Sequence, residues 1–316
     1  MKRLFLTILV GLMLTIVGCG SANDNSKVSI CVGNNISYVQ DDGTVYCVRV
    51  GQPAITLGEN VKDVVGEWDE LILLCNDGTV MIYDPYTGDK LTSEYCYDKA
   101  INSPGTGDRV MAAYADVCAF FEKNKKVDDI IFYSPDVFLA KVNGEWIGPA
   151  CEWFPDVDFN KAKKMVGTNP HEPDFLLNDD GSIICLSGYY HDVKGLLGED
   201  KKYKDVDESF ETFFLGEDSK VYAQKDTVAL DWENVEQISV YAYNVVGVDK
   251  AGNVLLENEK SRHYEEVSTW KDVIYVEYAG DFIIGVDKAG NILATKEAVE
   301  RFSLDLENLP KVRVSR

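Results

Sequence analysis

The chain has 316 residues, with 31 Lys and Arg against 53 Asp and Glu for a formal charge of −22, and 46% of its residues are apolar. That apolar share over such a length supplies a full core, so the chain is neither disordered nor a coiled coil. The excess of carboxylates repels polyanions and excludes nucleic acid as a partner.

At the N-terminus, Lys2 and Arg3 precede an apolar run from Leu4 to Val17, which is followed by "GCGSANDNS". A charged segment, a hydrophobic segment and a small-residue site together read as an export signal. The run is shorter than the roughly 20 residues a spanning helix needs. "IVGC" (Ile16 to Cys19) resembles the lipobox of bacterial lipoproteins. By that resemblance residues 1–18 are a signal peptide, Cys19 carries the lipid, and residues 19–26 are a flexible tether. Residues 27–316 are then one domain held outside the cytoplasm at the bacterial cell membrane. Loss of Lys2 and Arg3 takes the mature charge to −24.

Seven cysteines remain beyond Cys19: Cys31, Cys47, Cys75, Cys96, Cys118, Cys151 and Cys185. Their odd number leaves at least one unpaired in a monomer, and several sit in strand-like runs such as "TVYCV" and "LILLC", as small buried hydrophobes do. No CxxC or Cys/His spacing points to zinc. Cys31 and Cys47 fall on strands either side of a shared middle strand, about 10 Å apart. That is beyond disulfide reach, so no bridge between them is expected.

The body of the chain repeats a turn: "YVQDDGTVYCV" (Gly43), "LLCNDGTVMIY" (Gly78), "LAKVNGEWIG" (Gly144), "LLNDDGSIICL" (Gly181), "FLGEDSKVYAQ" (Ser219), "GVDKAGNVLLE" (Gly252) and "GVDKAGNILAT" (Gly290). The intervals are 35, 66, 37, 38, 33 and 38 residues. The long one predicts a degenerate unit between Lys99 and Lys126. Each turn joins two apolar runs through Asp, Asn and Gly, which is hairpin chemistry. A further strand precedes each hairpin, as in "VEQISVYAY" after Trp232 and "DVIYVEYAG" after Trp270.

The middle strands "ELILLC", "DVFLAKV", "DFLLND", "TFFLGE", "NVVGV" and "DFIIGV" are nearly continuous apolar runs. Such strands are covered on both faces. With no helices predicted, the cover must be neighbouring sheets. The expected fold is therefore an all-β propeller of repeats of about 35 to 38 residues, with seven blades and a range of six to eight. A linear β-solenoid is the rival. "LENLPKVRVSR" (Leu306 to Arg316) looks like the opening strand of a further unit without its hairpin, placed to complete the first blade and remove exposed edges.

"NDGTVMIY" (Asn76 to Tyr83), "DDGTVYCV" (Asp41 to Val48) and the whole unit Trp270 to Glu297 resemble the regulator of chromosome condensation repeat and its short bacterial relatives, including the type II β-lactamase-inhibitory kind. The resemblance covers most of Lys27 to Glu297 and fails around Lys99 to Lys126. It implies a rigid binding scaffold. The guanine-exchange and chromatin roles of eukaryotic members do not carry over to an acidic exported chain.

Catalytic patterns are thin. His171, His191 and His263 each read as a solvated loop histidine, and no GxSxG, HExxH or P-loop is present. The "DKAGN" turns offer one carboxylate each, whereas calcium takes six to eight oxygens, so turn chemistry explains them. No metal and no cofactor is expected. Three basic clusters precede successive units: Lys123, Lys125 and Lys126; Lys161, Lys163 and Lys164; and Lys201, Lys202 and Lys204. Equal phase predicts one basic rim, either a site for an anionic polymer, headgroup or acidic protein patch, or solvated loops that protect edges. A second candidate surface is aromatic: Tyr95, Tyr97, Trp153, Phe154, Tyr189 and Tyr190, set in what read as loops and suited to recognition or to packing between blades.

The function expected is a membrane-anchored scaffold presenting loops to a protein or envelope polysaccharide. The alternatives are an extracellular glycan-active enzyme using carboxylates on the propeller face and a structural accessory of an envelope complex.

Overall fold

In a computed structural model the described residues are 28–314, apart from 67–70, 103–106, 168–171, 188–200, 210, 224–226, 229, 243 and 258–261. They form seven antiparallel sheets of three or four strands, each built from consecutive strands. Each sheet is one blade of a β-propeller. The innermost strands of blades 1 to 7 are Ile30–Val32, Val61–Val65, Val127–Ser134, Ala162–Val166, Tyr203–Glu208, Val235–Tyr241 and Val273–Ala279. Neighbouring blades touch through these strands around the axis.

The apolar middle strands come second in each blade. Leu71–Cys75, Phe175–Asn178 and Thr212–Gly216 are buried at every residue, as strands covered on both faces must be. Cores lie between blades: Cys31, Val45 and Cys47 of blade 1 pack with Val64, Leu71 and Leu73 of blade 2, and Val166 and Phe175 of blade 4 pack with Tyr203, Val206 and Phe214 of blade 5. Cys31 and Cys47 both pair across to Ser37, and both are free thiols, as their spacing predicted.

The turns have a second role beyond reversing the chain. The carbonyl of the turn residue accepts the N–H of the first inner-strand residue of the next blade: Gly43 from Val61 at 2.7 Å, Gly78 from Val127 at 2.9 Å, Gly181 from Tyr203 at 2.9 Å, Ser219 from Val235 at 3.1 Å and Gly252 from Val273 at 3.0 Å. A Cβ on Gly78 would stand 2.6 Å from the Cα of Lys126. Glycine at the turn thus meets a positive φ and a close approach of the next blade together.

The last such bond closes the ring. Val312 donates to the Gly290 carbonyl at 2.9 Å, and Arg313 N–H donates to Val39 at 2.7 Å. Val312 and Val314 bridge antiparallel to Gln40 and Val28. The C-terminal segment therefore begins blade 1, as its pattern predicted, and its Val312 joins the core shared by blades 7 and 1.

One expectation is corrected. Among the described residues from Lys99 to Lys126 there is no degenerate blade: α1 (Ser93–Asn102) and α2 (Gly107–Lys123) form a helical hairpin there, and the seven turns serve seven blades. In α2, Met111, Tyr114, Ala115, Cys118 and Phe121 recur at helical spacing among good helix formers. That stripe packs on Ile72 and Leu74 of blade 2 and on Ile130, Phe132 and Phe138 of blade 3. Phe121 stacks on Phe138 at 5.5 Å between ring centres, and Phe120 meets it edge-on at 5.0 Å. At this junction helices cover the apolar sheets, where the strand pattern alone had implied only other sheets.

Candidate functional site

Around the axis the closing C-terminal segment and the second residues of the blade 2 and blade 4 inner strands reach toward the next blade. Arg313 donates to the Val61 carbonyl at 2.9 Å and to that of Lys62, Lys62 Nζ donates to the Asp128 carbonyl at 2.6 Å, and Lys163 Nζ to the Lys204 carbonyl at 2.7 Å. Deeper in, polar side chains hold the backbone of the next blade. Val64 N–H donates to Ser29 Oγ at 2.8 Å, Val240 N–H to Asp207 Oδ2 at 2.7 Å, Val276 N–H to Gln237 Oε1 at 2.8 Å and Tyr278 N–H to Ser239 Oγ at 3.0 Å.

Lys164 lies inside this layer, only 6% exposed. Its Nζ sits 3.1 Å from Asp205 Oδ1 and 3.9 Å from Asp207 Oδ1. Burial pulls the ammonium down, but the two aspartates outweigh it and hold the group above its ordinary value. Burial raises Asp207 against the pull of Lys164. It also raises Glu277, helped by the like charge of Asp207 and opposed by a 2.8 Å bond from Tyr275 Oη. Asp63 is pushed up to about 6 by burial, partly offset by the bond from Ser29. Glu208 is pushed up to about 8 for the same reason, against a 2.7 Å bond from Thr212.

Above this layer opens a cavity of about 720 Å³ at the start of the inner strands of blades 4 to 7. Lys163, Lys204, Lys250 and Lys288 line it with Asp205, Glu217, Glu236 and Asp249, joined by Gln237 and Tyr275. The charges alternate. Glu236 Oε1 lies 3.6 Å from both Lys204 Nζ and Lys250 Nζ, so this mouth offers many hydrogen-bonding groups and little net field.

The lysine rim is only partly as predicted. Lys126 directly precedes the inner strand of blade 3 and Lys202 that of blade 5, so their equal phase holds. Lys123, Lys125 and Lys126 are exposed. Lys161 and Lys202 both turn to Asp180, at 2.9 and 3.5 Å, and Lys201 lies 3.8 Å from the Tyr222 ring centre. Lys204 donates to Ser219 Oγ at 2.7 Å and lines the mouth beside Lys163. Lys164 is the correction: a buried axial cation cannot be part of a rim.

Of the aromatic candidates, Tyr95 and Tyr97 lie on α1 and not on a loop, because the Thr92 hydroxyl accepts the Tyr95 N–H and begins the helix. Tyr95 packs on the hairpin core, and Tyr97, 45% exposed, donates to Asp116 at 2.7 Å. Phe154 packs into the blade 3–4 core while Trp153 stays 51% exposed. Tyr189, Tyr190 and Cys19, the expected lipidation residue, lie outside the described residues, as do His171 and His191.

His263 corrects its own expectation, since it is buried and not solvated. Arg262 Nε donates to its Nε2 at 3.1 Å, and Glu297 Oε2 lies 3.3 Å from its Nδ1. Burial lowers its pKa despite Glu297. The ligand atoms of His263, Glu266 and Glu297 lie within 4.8 Å of one another. The tie to the Lys296–Phe302 helix is made by Glu266, whose Oε2 accepts the Lys296 N–H at 3.2 Å. The "DKAGN" carboxylates are used inside their turns: Asp249 accepts from Asn253 N–H at 2.8 Å and Asp287 from Asn291 N–H at 2.9 Å.

Sequence reasoning missed the axial acids Asp63, Asp205, Asp207 and Glu277. The signal was present as polar residues inside otherwise apolar inner strands, in "VKDVV", "YKDVDE" and "VIYVEYA". No protein-family profile matches the chain, and no curated protein does. Similar solved structures include the computationally designed Ika8 protein, at TM-score 0.46 and 12% identity over 88% of this chain and 86% of that one. BamB from Moraxella catarrhalis aligns at TM-score 0.42 and 10% identity over 88% of this chain and 85% of its own. An extracellular domain of a hybrid two-component system from B. thetaiotaomicron aligns at TM-score 0.43 and 10% identity over 84% and 39%.

Proposed function

We propose that the protein is an exported, membrane-anchored β-propeller that binds a protein or an envelope polysaccharide and does no chemistry on it. The mouth above the axis carries this reading: a cavity of about 720 Å³ walled by alternating lysines and carboxylates suits a polar chain of low net charge. Asp205 and Asp207 nearby are engaged with backbone N–H groups and with Lys164, which makes them parts of the frame. The export signal and the Cys19 lipobox supply the location, and the repeat resemblance supplies the precedent of a rigid scaffold.

Saturable capture of isolated envelope material by the protein tests this. Lys250→Glu with Lys288→Glu, which unbalances the mouth, should abolish capture. Replacing Lys123, Lys125 and Lys126 by Gln should leave it intact, and the reverse pattern would move the site to the rim.

One observation favours a second reading, a glycan-active enzyme. Asp207 and Glu277 are buried carboxyls raised together, the condition in which one stays protonated beside an ionised partner. Release of new reducing ends from envelope glycans, lost in Glu277→Gln, would establish it. Capture without any release would exclude it.

A further inference from the structure

Five of the seven described thiols point at something other than sulfur. Cys31, Cys75, Cys151 and Cys185 donate to the carbonyls of Gly66, Glu59, Trp146 and Ser187, at 3.2, 3.7, 3.6 and 3.2 Å, and Cys47 hydrogen-bonds to Ser37. The other two, Cys96 on α1 and Cys118 on α2, hydrogen-bond to each other inside the hairpin core. Their meeting is fixed by the register of the antiparallel helices. On one side Ser93 Oγ donates to Glu122 Oε2 at 2.6 Å, with Ser93 N–H bonded to Oε1 at 3.0 Å. On the other Tyr97 Oη donates to Asp116 Oδ1 at 2.7 Å. The two sulfurs sit between these clamps, in contact without a covalent bond.

We propose that Cys96 and Cys118 form an oxidisable dithiol that closes to a disulfide and staples the helical hairpin. The oxidant is a low-molecular-weight disulfide or a disulfide-exchanging oxidoreductase. Burial raises both thiols, so the first attack falls to whichever sulfur the oxidant reaches. Where that is Cys96, its thiolate displaces one thiolate from the oxidant to give a mixed disulfide. The Cys118 sulfur then displaces the second thiolate and forms the Cys96–Cys118 bond. Both thiol protons end on the two released thiols, and the two electrons lost by the pair reduce the oxidant. Burial of both sulfurs slows entry of the oxidant, so closure belongs to folding in an oxidising space or to moments when the hairpin opens. The export reading places the chain in such a space. The pairing itself follows from the helices and is testable without that reading.

The test is peptide mapping of the full chain in detergent, alkylated without reduction, after incubation in oxidised glutathione both folded and during refolding. The expected result is a cross-linked peptide pair containing Cys96 and Cys118, with Cys31, Cys47, Cys75, Cys151 and Cys185 alkylated. Reductant should then lower the thermal midpoint by about 5 °C, and the Cys96→Ala/Cys118→Ala double variant should show no such dependence. Alkylation of both cysteines in the folded and refolded samples, or either one linked elsewhere, overturns the proposal. Finding the bond in vitro but reduced thiols in protein from cells would leave the dithiol standing and count against export.

Discussion

Blades 6 and 7 pack sheet on sheet, whereas blades 2 and 3 share their junction with a helical hairpin. In the first pair the sequence repeats almost letter for letter. Gly247 and Gly285, in the middle strands, lie under Trp232 and Trp270, where a Cβ would stand 3.1 and 3.0 Å from the indole ring. The Gly252 carbonyl then receives Val273, and the Gly290 carbonyl receives Val312. Each copy of "GVDKAGN" thus specifies both a blade and the socket for the next. At the other junction the turn contact from Val127 to Gly78 and the Lys62 bond to the Asp128 carbonyl remain, and the apolar surface beyond them is filled by Phe120, Phe121 and Tyr114 from the helices. Repetition persists where blade must fit blade, and lapses where a different element fills the wedge.

The largest break in this comparison comes from emptying the filled wedge. Phe138 is 1% exposed and touches Phe120, Phe121 and Phe132. Phe138→Ala should cost about 4 kcal/mol in urea unfolding, because helices and sheet cannot both collapse onto the void. Val246→Ala in the blade 6–7 core, a smaller deletion among strands, should cost about 2 kcal/mol. Equal losses would mean that the hairpin is a passive ornament on the ring.

The turns give the next effect. A Cβ on Gly290 would run into the Val312 carbonyl oxygen, while one on Gly144 meets nothing within 4 Å, although both have φ near +80°. Both Gly→Ala variants pay for the positive φ, about 1 kcal/mol, and only Gly290→Ala also opens the ring closure. Gly290→Ala should therefore lose about 3 kcal/mol, with faster amide exchange at Val312 and Arg313.

These contrasts show which parts of the chain could be read directly. The turn spacing and doubly buried middle strands "LILLC" and "DFIIGV" sufficed for a seven-bladed ring, because a two-faced strand admits few other homes. The hairpin escaped because the 66-residue gap happened to equal two short repeats, although "RVMAAYADVCAFFEK" carries a helical stripe. The site was less legible. Charge clusters such as "KAKK" say nothing about which side chain turns inward, and alternation along Ala162–Val166 sends Lys164 to the axis while Lys163 faces the mouth. The Lys164 partners, Asp205 and Asp207, come from the next blade and are invisible to any local window.

The axis has its own signature in pH. Asp63, with a folded pKa of about 6, and Glu208, at about 8, lie above ordinary carboxylate values. A raised carboxyl stabilises fully below its unfolded pKa and loses that contribution as pH rises through the folded one. Stability should therefore fall by about 5 kcal/mol between pH 5 and pH 8, most of it from Glu208. His263 runs the other way: its lowered value gives a contribution present above its ordinary pKa and lost on acidification through its folded pKa. Amide exchange at the Lys296–Phe302 helix should accelerate in acid while the body of the ring tightens. Loss of both trends in one variant, Glu208→Gln, would show that the helix reports the axis and not His263.

The smallest effect compares the two junctions at a single backbone position. The residue before the inner strand takes positive φ in blades 2, 3, 6 and 7: Asn60, Lys126, Asn234 and Asp272, all near 60°. Asn and Asp tolerate this conformation because their short side chains bond locally, whereas lysine has no such compensation. Blade 3, after the hairpin, therefore carries the strained version of a site that the direct junctions fill with Asn or Asp. Lys126→Asn should stabilise by about 0.5 kcal/mol and Asn234→Lys should destabilise by about the same amount. If Lys126→Asn instead destabilises, the exposed ammonium does something at this position that outweighs its backbone strain, and the basic rim regains its claim as a binding surface.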